Sequence, residues 1–220
     1  MKIYKYLHSC IVFEDQDFKL LVDPGMFSFV EGQVTTEMFS DVQAIIITHN
    51  HPDHLDTENL KKIVSLTKAP VYTNAQVAQQ LDEEGIQAEL LTDGDFTIGP
   101  FKVQAFSVVH EPLLDAPVPQ MTALIINGKV LHPVDSFEEK MFRHEGIELL
   151  LLPIMAPFTN ELKVAEFADR LKPKQILAVH DGYVKDFFLN SRHNNYQKHF
   201  EKNDIKYIVL KNPGDYIEIN

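Results

Sequence analysis

Runs of consecutive aliphatic, β-branched and aromatic residues alternate along the chain with stretches in which apolar positions recur every three to four residues. That rhythm predicts strands interleaved with surface helices. Strands are expected at residues 11–14, 18–22, 44–48, 71–73, 101–109, 121–126 and 130–131, then at 149–152, 175–179, 207–210 and 216–219. Helical spacing marks 56–65, where Leu60, Ile63 and Val64 share a face behind the N-cap candidate Asp56; 74–84, 160–171 and 186–201 read the same way. Asn127-Gly128 between two apolar runs predicts a two-residue hairpin. Pro112, Pro117 and Pro119 make 111–120 a stiff loop, since proline fits neither a helix interior nor a central strand. A meander comes first and strand–helix alternation follows, without tandem repeat or linker. The pattern therefore predicts one domain over residues 1–220, with strands sandwiched by helices.

Composition narrows the class. With 45% hydrophobic and 24% charged residues, a disordered or collagen-like chain is excluded. The formal net charge of −12 argues against a protein that grips long nucleic acid through its phosphates, so no nucleic-acid partner is expected. Cys10 is the only cysteine, which rules out an intrachain disulfide and a thiolate zinc cage. Neither a signal-like apolar segment nor a stretch near ~18 apolar residues is present; the expectation is a cytoplasmic protein without a membrane partner.

The 10 His change the picture. Immediately after the apolar run Ala44-Ile45-Ile46-Ile47 comes Thr48-His49-Asn50-His51-Pro52-Asp53-His54. His49 and His51 are two apart, so in extended backbone their rings project the same way and can share one ion. Pro52 then turns the chain, letting Asp53 and His54 face a second ion. Chance would produce His-x-His-x-Asp-His in such a chain with a probability on the order of 10⁻³. Neutral imidazole and carboxylate suit zinc, iron or manganese. One loop rarely completes two ions, and His110, Asp135 and His180 each stand just beyond a predicted strand, where further donors are needed.

On these residues the chain resembles the metallo-β-lactamase superfamily, and within it the compact metal-dependent hydrolases of the ascorbate-6-phosphate lactonase group. His8-Ser9 and Leu21-Val22-Asp23-Pro24 look like the opening hairpin of that family, residues 49–54 like its signature, and His110, Asp135-Ser136 and His180 like its later ligand positions. Residues 153–159 are also similar to this branch. The resemblance implies an α/β (α+β) fold, a four-layer αβ/βα sandwich of two mixed β-sheets flanked by helices, with a two-metal site along one edge. It implies that His49, His51 and His110 bind one ion and that Asp53, His54 and His180 bind a second, with Asp135 bridging them. His8 and Asp23 would orient ligands by hydrogen bonds. Zinc is the first expectation for the ions, with manganese, iron or nickel as the others. Two positions depart from the family pattern: Val134 precedes Asp135 where Gly is usual, and Ala178-Val179 precede His180 where Pro is usual.

Two divalent ions roughly 3.5–4 Å apart lower the pKa of a shared water, so that a bridging hydroxide can attack a carbonyl or phosphorus near neutral pH. Asp53 would orient it as the catalytic residue. The site would carry a charge of about +1, favouring a small anionic or oxyanion-forming substrate. Phe27, Glu111, Phe158 and Tyr183 are the candidate substrate contacts, with Met26, Phe29, Thr159, Asn160 and Lys185 nearby. The leading expectation is hydrolysis of a small ester, lactone or phosphoester, with homo-oligomerisation left open. An RNA 3′-end endonuclease of the same fold would need a basic docking arm, which is not visible in the sequence. A mononuclear iron oxygenase acting on a thiol would leave Asp53, His54 and His180 without a role. A non-enzymatic binding module is opposed by the complete seven-residue set.

Overall fold

The central strands, such as Ala44–Ile47 and Leu149–Pro153, are buried on both faces, which is why they read as unbroken apolar runs rather than alternating ones. In the computed structural model, which describes residues 1–220, fourteen strands form two seven-stranded mixed sheets. The first contains β1 (Lys2–Lys5), β2 (Ile11–Asp15), β3 (Phe18–Val22), β4 (Ala44–Ile47), β5 (Val71–Thr73), β6 (Ala88–Leu90) and the C-terminal β14 (Asp215–Glu218), in the order β14-β1-β2-β3-β4-β5-β6. The second contains β7 (Gly94–Ile98), β8 (Phe101–Val109), β9 (Gln120–Ile126), β10 (Val130–His132), β11 (Leu149–Pro153), β12 (Gln175–Val179) and β13 (Lys206–Ile208), in the order β13-β12-β11-β10-β9-β8-β7. Strands β3 to β6 run parallel, as do β10 to β13; the remaining pairs are antiparallel.

Three apolar layers hold this arrangement together. Between the sheets lie Ile11, Phe13, Leu20, Val22 and Ile46 from one side and Phe101, Val103, Leu149, Leu151 and Leu177 from the other. The intervening residues face outward. Val12, Leu21, Ile45 and Ile47 pack against Leu60 and Ile63 of α2 (Thr57–Thr67) and Val77 and Leu81 of α3 (Ala75–Glu83). On the far side Leu150, Leu152 and Ile176 pack against Val164, Phe167 and Leu171 of α4 (Glu161–Leu171) and Tyr196 and Phe200 of α5 (Asp186–Glu201). The strand period of two thus sends alternate side chains into different layers, giving the four-layer αβ/βα sandwich that the resemblance implies.

Helix starts follow the local capping chemistry. Asp56, Asn74 and Asn160 each occupy the N-cap and accept a backbone N–H three residues on, from Asn59, Val77 and Lys163. The expected two-residue hairpin is corrected: Val130 pairs with Ile126, so residues 127–129 form a three-residue connection, with Asn127 and Gly128 in the left-handed region. Strands β1, β6 and β7 and the one-turn helix α1 (Met26–Phe29) are additions to the sequence-based reading. Residues 111–119 contain no regular element, as the prolines require. No helix is long and apolar enough to cross a membrane.

Candidate metal centre

The parallel strands of both sheets end along one edge, and the turns that follow them carry the polar residues. Asp23 follows β3, Thr48 to His54 follow β4, Asp135 follows β10 and His180 follows β12; His110 comes directly after the long β8. Left-handed backbone makes several of these turns sharp: His8, Asp23, Val134 and His180 have φ of 48°, 50°, 57° and 61°. For Val134, a β-branched residue, this costs on the order of 1–3 kcal/mol. Burial in the helix-side core of the second sheet holds it there, and its N–H donates to His132 Nδ1 (3.4 Å). The turn where glycine is usual in the family thus persists with valine and swings Asp135 into the site.

Eight side chains meet where the two sheets adjoin. His49, His51, His110 and Asp135 form one cluster of donor atoms, and His8, Asp53, His54 and His180 another; within each, the atoms lie within 4.8 Å of one another. Asp135 joins the two. Its Oδ2 lies 3.7, 3.4 and 3.4 Å from Nε2 of His49, His54 and His110, and its Oδ1 lies 3.3 Å from Nε2 of His180.

Hydrogen bonds around the clusters fix which ring nitrogen faces inward. His110 Nδ1 donates to the Glu111 carbonyl and His180 Nδ1 to the Met155 carbonyl, since a carbonyl can only accept. Asp23 Oδ2 accepts from His54 Nδ1 (2.8 Å) and from the Thr48 hydroxyl (2.6 Å), leaving the Thr48 oxygen to accept from His49 Nδ1 (3.1 Å). Four imidazoles therefore aim Nε2 at the centre. Those four Nε2 atoms and Asp135 Oδ1 are buried without a hydrogen-bond partner. Buried polar atoms are normally satisfied, and five convergent exceptions made of imidazole nitrogen and carboxylate oxygen fit divalent cations.

His8 has the opposite tautomer. Gly182 N–H donates to its Nδ1 (3.0 Å), so the proton sits on Nε2 and is donated to Asp53 Oδ2 (3.1 Å). Burial pushes its pKa down to about 3, so the ring is neutral. His8 therefore orients Asp53, and Asp23 orients His54 while holding Thr48 beside His49. The field at the centre is negative. Burial would lower His180, yet Asp135 and Asp53 push it up to about 9, and the same carboxylates raise His54 well above its ordinary value. Burial likewise opposes ionisation of Asp53, but His54, His180 and His8 hold its carboxyl below its ordinary range. A cation bound there meets the same attraction.

A cavity of about 400 Å³ opens over the two clusters, walled by Met26, Phe27, Leu113, Pro157, Phe158 and Tyr183. Three of the four expected substrate contacts, Phe27, Phe158 and Tyr183, line it. Glu111 does not: its side chain accepts from Phe137 N–H and pairs with Lys163, and only its carbonyl serves the site, through His110. Phe29 packs on Phe39, Asn160 caps α4, and Lys185 precedes α5. Thr48, His132, Gly25 and Asn74 were not among the expected site residues. Asn74 Nδ2 donates to the Thr48 carbonyl (2.9 Å), bracing the motif from β5, and burial keeps His132 neutral by pushing its pKa down to about 4. The polar run at 48–54 pointed to the site without marking Thr48 as a support, and Gly25, Asn74 and His132 reach it from elsewhere in the chain.

Gly25 lets the two loops touch. Met26 N–H donates to the Pro52 carbonyl (2.7 Å), and a Cβ on Gly25 would overlap the Asp53 carbonyl and the His54 nitrogen. Gly25→Ala is therefore expected to destabilise by about 1–3 kcal/mol through overpacking, seen as a melting point lower by several degrees. An unchanged melting point would show that the loops yield without cost.

Residues 2–180 match the family described as "Beta-lactamase superfamily domain". The chain is 30% identical over 179 residues to a UPF0173 metal-dependent hydrolase of Alkaliphilus metalliredigens, covering 75% of this chain and 78% of the relative. Among solved structures it is similar to Igni18, a metallo hydrolase from Ignicoccus hospitalis, with a TM-score of 0.74 at 19% identity over 100% of this chain and 99% of the other. It is also similar to an isothiocyanate hydrolase from Delia radicum gut bacteria, with a TM-score of 0.75 at 15% identity over 100% and 99% of the two chains.

Proposed function

The chain belongs to the metallo-β-lactamase superfamily as a metal-dependent hydrolase, and from that premise we propose that it holds two divalent ions and hydrolyses a small ester, lactone or phosphoester. The observation that carries this reading is the set of five buried, unpartnered donor atoms. His49, His51 and His110 would hold one ion, Asp53, His54 and His180 the other, and Asp135 both. Zinc is the first candidate, since imidazole predominates among these donors and suits zinc. Bound ions supply Lewis acidity, polarising the scissile bond and lowering the pKa of a water.

The chain's own residues do the rest. Asp53 lines the cavity with Oδ2 engaged by His8 and close to His180 (3.2 Å), which leaves Oδ1 to accept a hydrogen bond from the attacking water and orient it. His8 keeps that carboxylate from rotating. Tyr183 is held neutral: burial first, then the negative charge of Asp135 and Asp53, push its hydroxyl up, so it can only donate or accept a hydrogen bond. Elemental analysis of metal-reconstituted protein should saturate at about two ions per chain, and a screen of ester, lactone, phosphomonoester and phosphodiester substrates should find turnover. Saturation at one ion would remove the dinuclear reading.

A further inference from the structure

We infer that the substrate is an uncharged carboxylic ester or lactone whose acyl part is apolar and lies along Leu113, Pro157 and Phe158; this rests on the hydrolase reading above. Apart from the donor residues, the cavity over the two clusters has apolar walls, and its one polar wall group is the neutral Tyr183 hydroxyl. No Lys or Arg lines it. Lys163, on the adjoining helix α4, is paired with Glu111. An anionic tail along these walls would leave water with no cationic partner, which is costly. Positive charge from bound ions is confined to the donor end. It therefore favours the oxyanion that develops during reaction, which narrows the expectation of an anionic substrate to an anionic transition state.

The groove continues beyond the site, with Thr159 and Asn160 as the polar residues of an otherwise apolar lining. A second cavity shares Leu113, Pro157 and Phe158 with the first and runs between the Pro-rich loop and the 157–160 turn, past Leu114 and Ala116. An acyl chain can thus start at the donors, cross the Phe158 ring and extend under the loop. In the reaction, the water oxygen bonds to the acyl carbon and the ester C–O bond breaks. One proton of the water passes to the leaving alkoxide along the hydrogen bond held by Asp53, giving an acid and an alcohol.

Two substrates with the same reacting ester test this on the metal-loaded protein: p-nitrophenyl hexanoate and the mono-p-nitrophenyl ester of adipic acid, whose tail ends in a carboxylate. The hexanoate is expected to have a kcat/KM at least about tenfold higher, and p-nitrophenyl acetate a kcat/KM at least about tenfold below the hexanoate. In Leu113→Lys, a change at a half-buried loop position, the hexanoate-to-adipate ratio should fall at least about fivefold. Equal or faster turnover of the adipate ester, no gain from acetate to hexanoate, or an unchanged ratio in Leu113→Lys would each overturn the inference and leave the hydrolase reading standing. Turnover of p-nitrophenyl phosphate but neither ester would do the same. Failure of every substrate, including the phosphate, would overturn the hydrolase reading and the inference with it.

Discussion

Asp53→Asn is expected to lower kcat by about 10²-fold or more, while Asp56→Asn, three residues on, leaves it within about threefold. Asparagine keeps the volume of Asp53 and can still accept from His8 Nε2, so the loop has no reason to move. What disappears is the negative charge beside His180 and His54 and one of the two carboxylate acceptors that can orient the attacking water. Asp56 by contrast caps α2, accepting from Asn59 N–H (3.0 Å) and Asn59 Nδ2 (2.8 Å). Asparagine caps as well as aspartate. Steady-state kinetics on the substrate found by screening, with ion content measured on the same samples, checks both. Retention of activity within about threefold by Asp53→Asn with both ions bound would remove its assigned role.

Chelation is expected to lower the melting point by about 10 °C or more. An ion at ~10³ times its Kd stabilises by about 4 kcal/mol, and for a chain of this size each 1 kcal/mol is worth roughly 2–4 °C. Without ions, Asp53 and Asp135 face each other across a cluster of buried imidazoles whose inward nitrogens have no other partner. Calorimetry with and without chelator measures the difference; coincident transitions would show that the fold draws no support from the site.

What was legible in the sequence follows from how local each signal is. The caps at Asp56, Asn74 and Asn160 were read at the right residue because the bond they make spans three positions. Ala44–Ile47 was legible because both its faces are buried, and its length then located the metal-type motif at the strand end. β6 and β7 were missed because, as edge strands, they bury little: Glu89 and Leu90 are exposed, as are Gly94, Asp95 and Thr97. The four residues of β1, two of them lysines, likewise gave no apolar run. The donor cluster could be read from residue type, whereas the supporting roles of His8 and Asp23 came only through the resemblance and Thr48 was not anticipated. Asp23 and Thr48 bond across 25 residues, and His8 reaches Asp53 across 45. Glu111 misled in the opposite way. Adjacent to His110, it looked like a substrate contact, but its side chain leaves the site for Lys163.

The placement of the donors across two sheets has a kinetic consequence. His49, His51, Asp53 and His54 belong to the first sheet's edge, and His110, Asp135 and His180 to the second's. An ion held there would fasten two leaves of the sandwich like a clasp, adding a tie at the edge to the layer of Ile46, Leu151 and their neighbours that already joins them. The cavity over the clusters gives a freed ion a path to solvent without parting the sheets. What the clasp slows is fraying of the edge, so backbone amides at the ends of β4, β10 and β12 should exchange with solvent more slowly in loaded than in stripped protein.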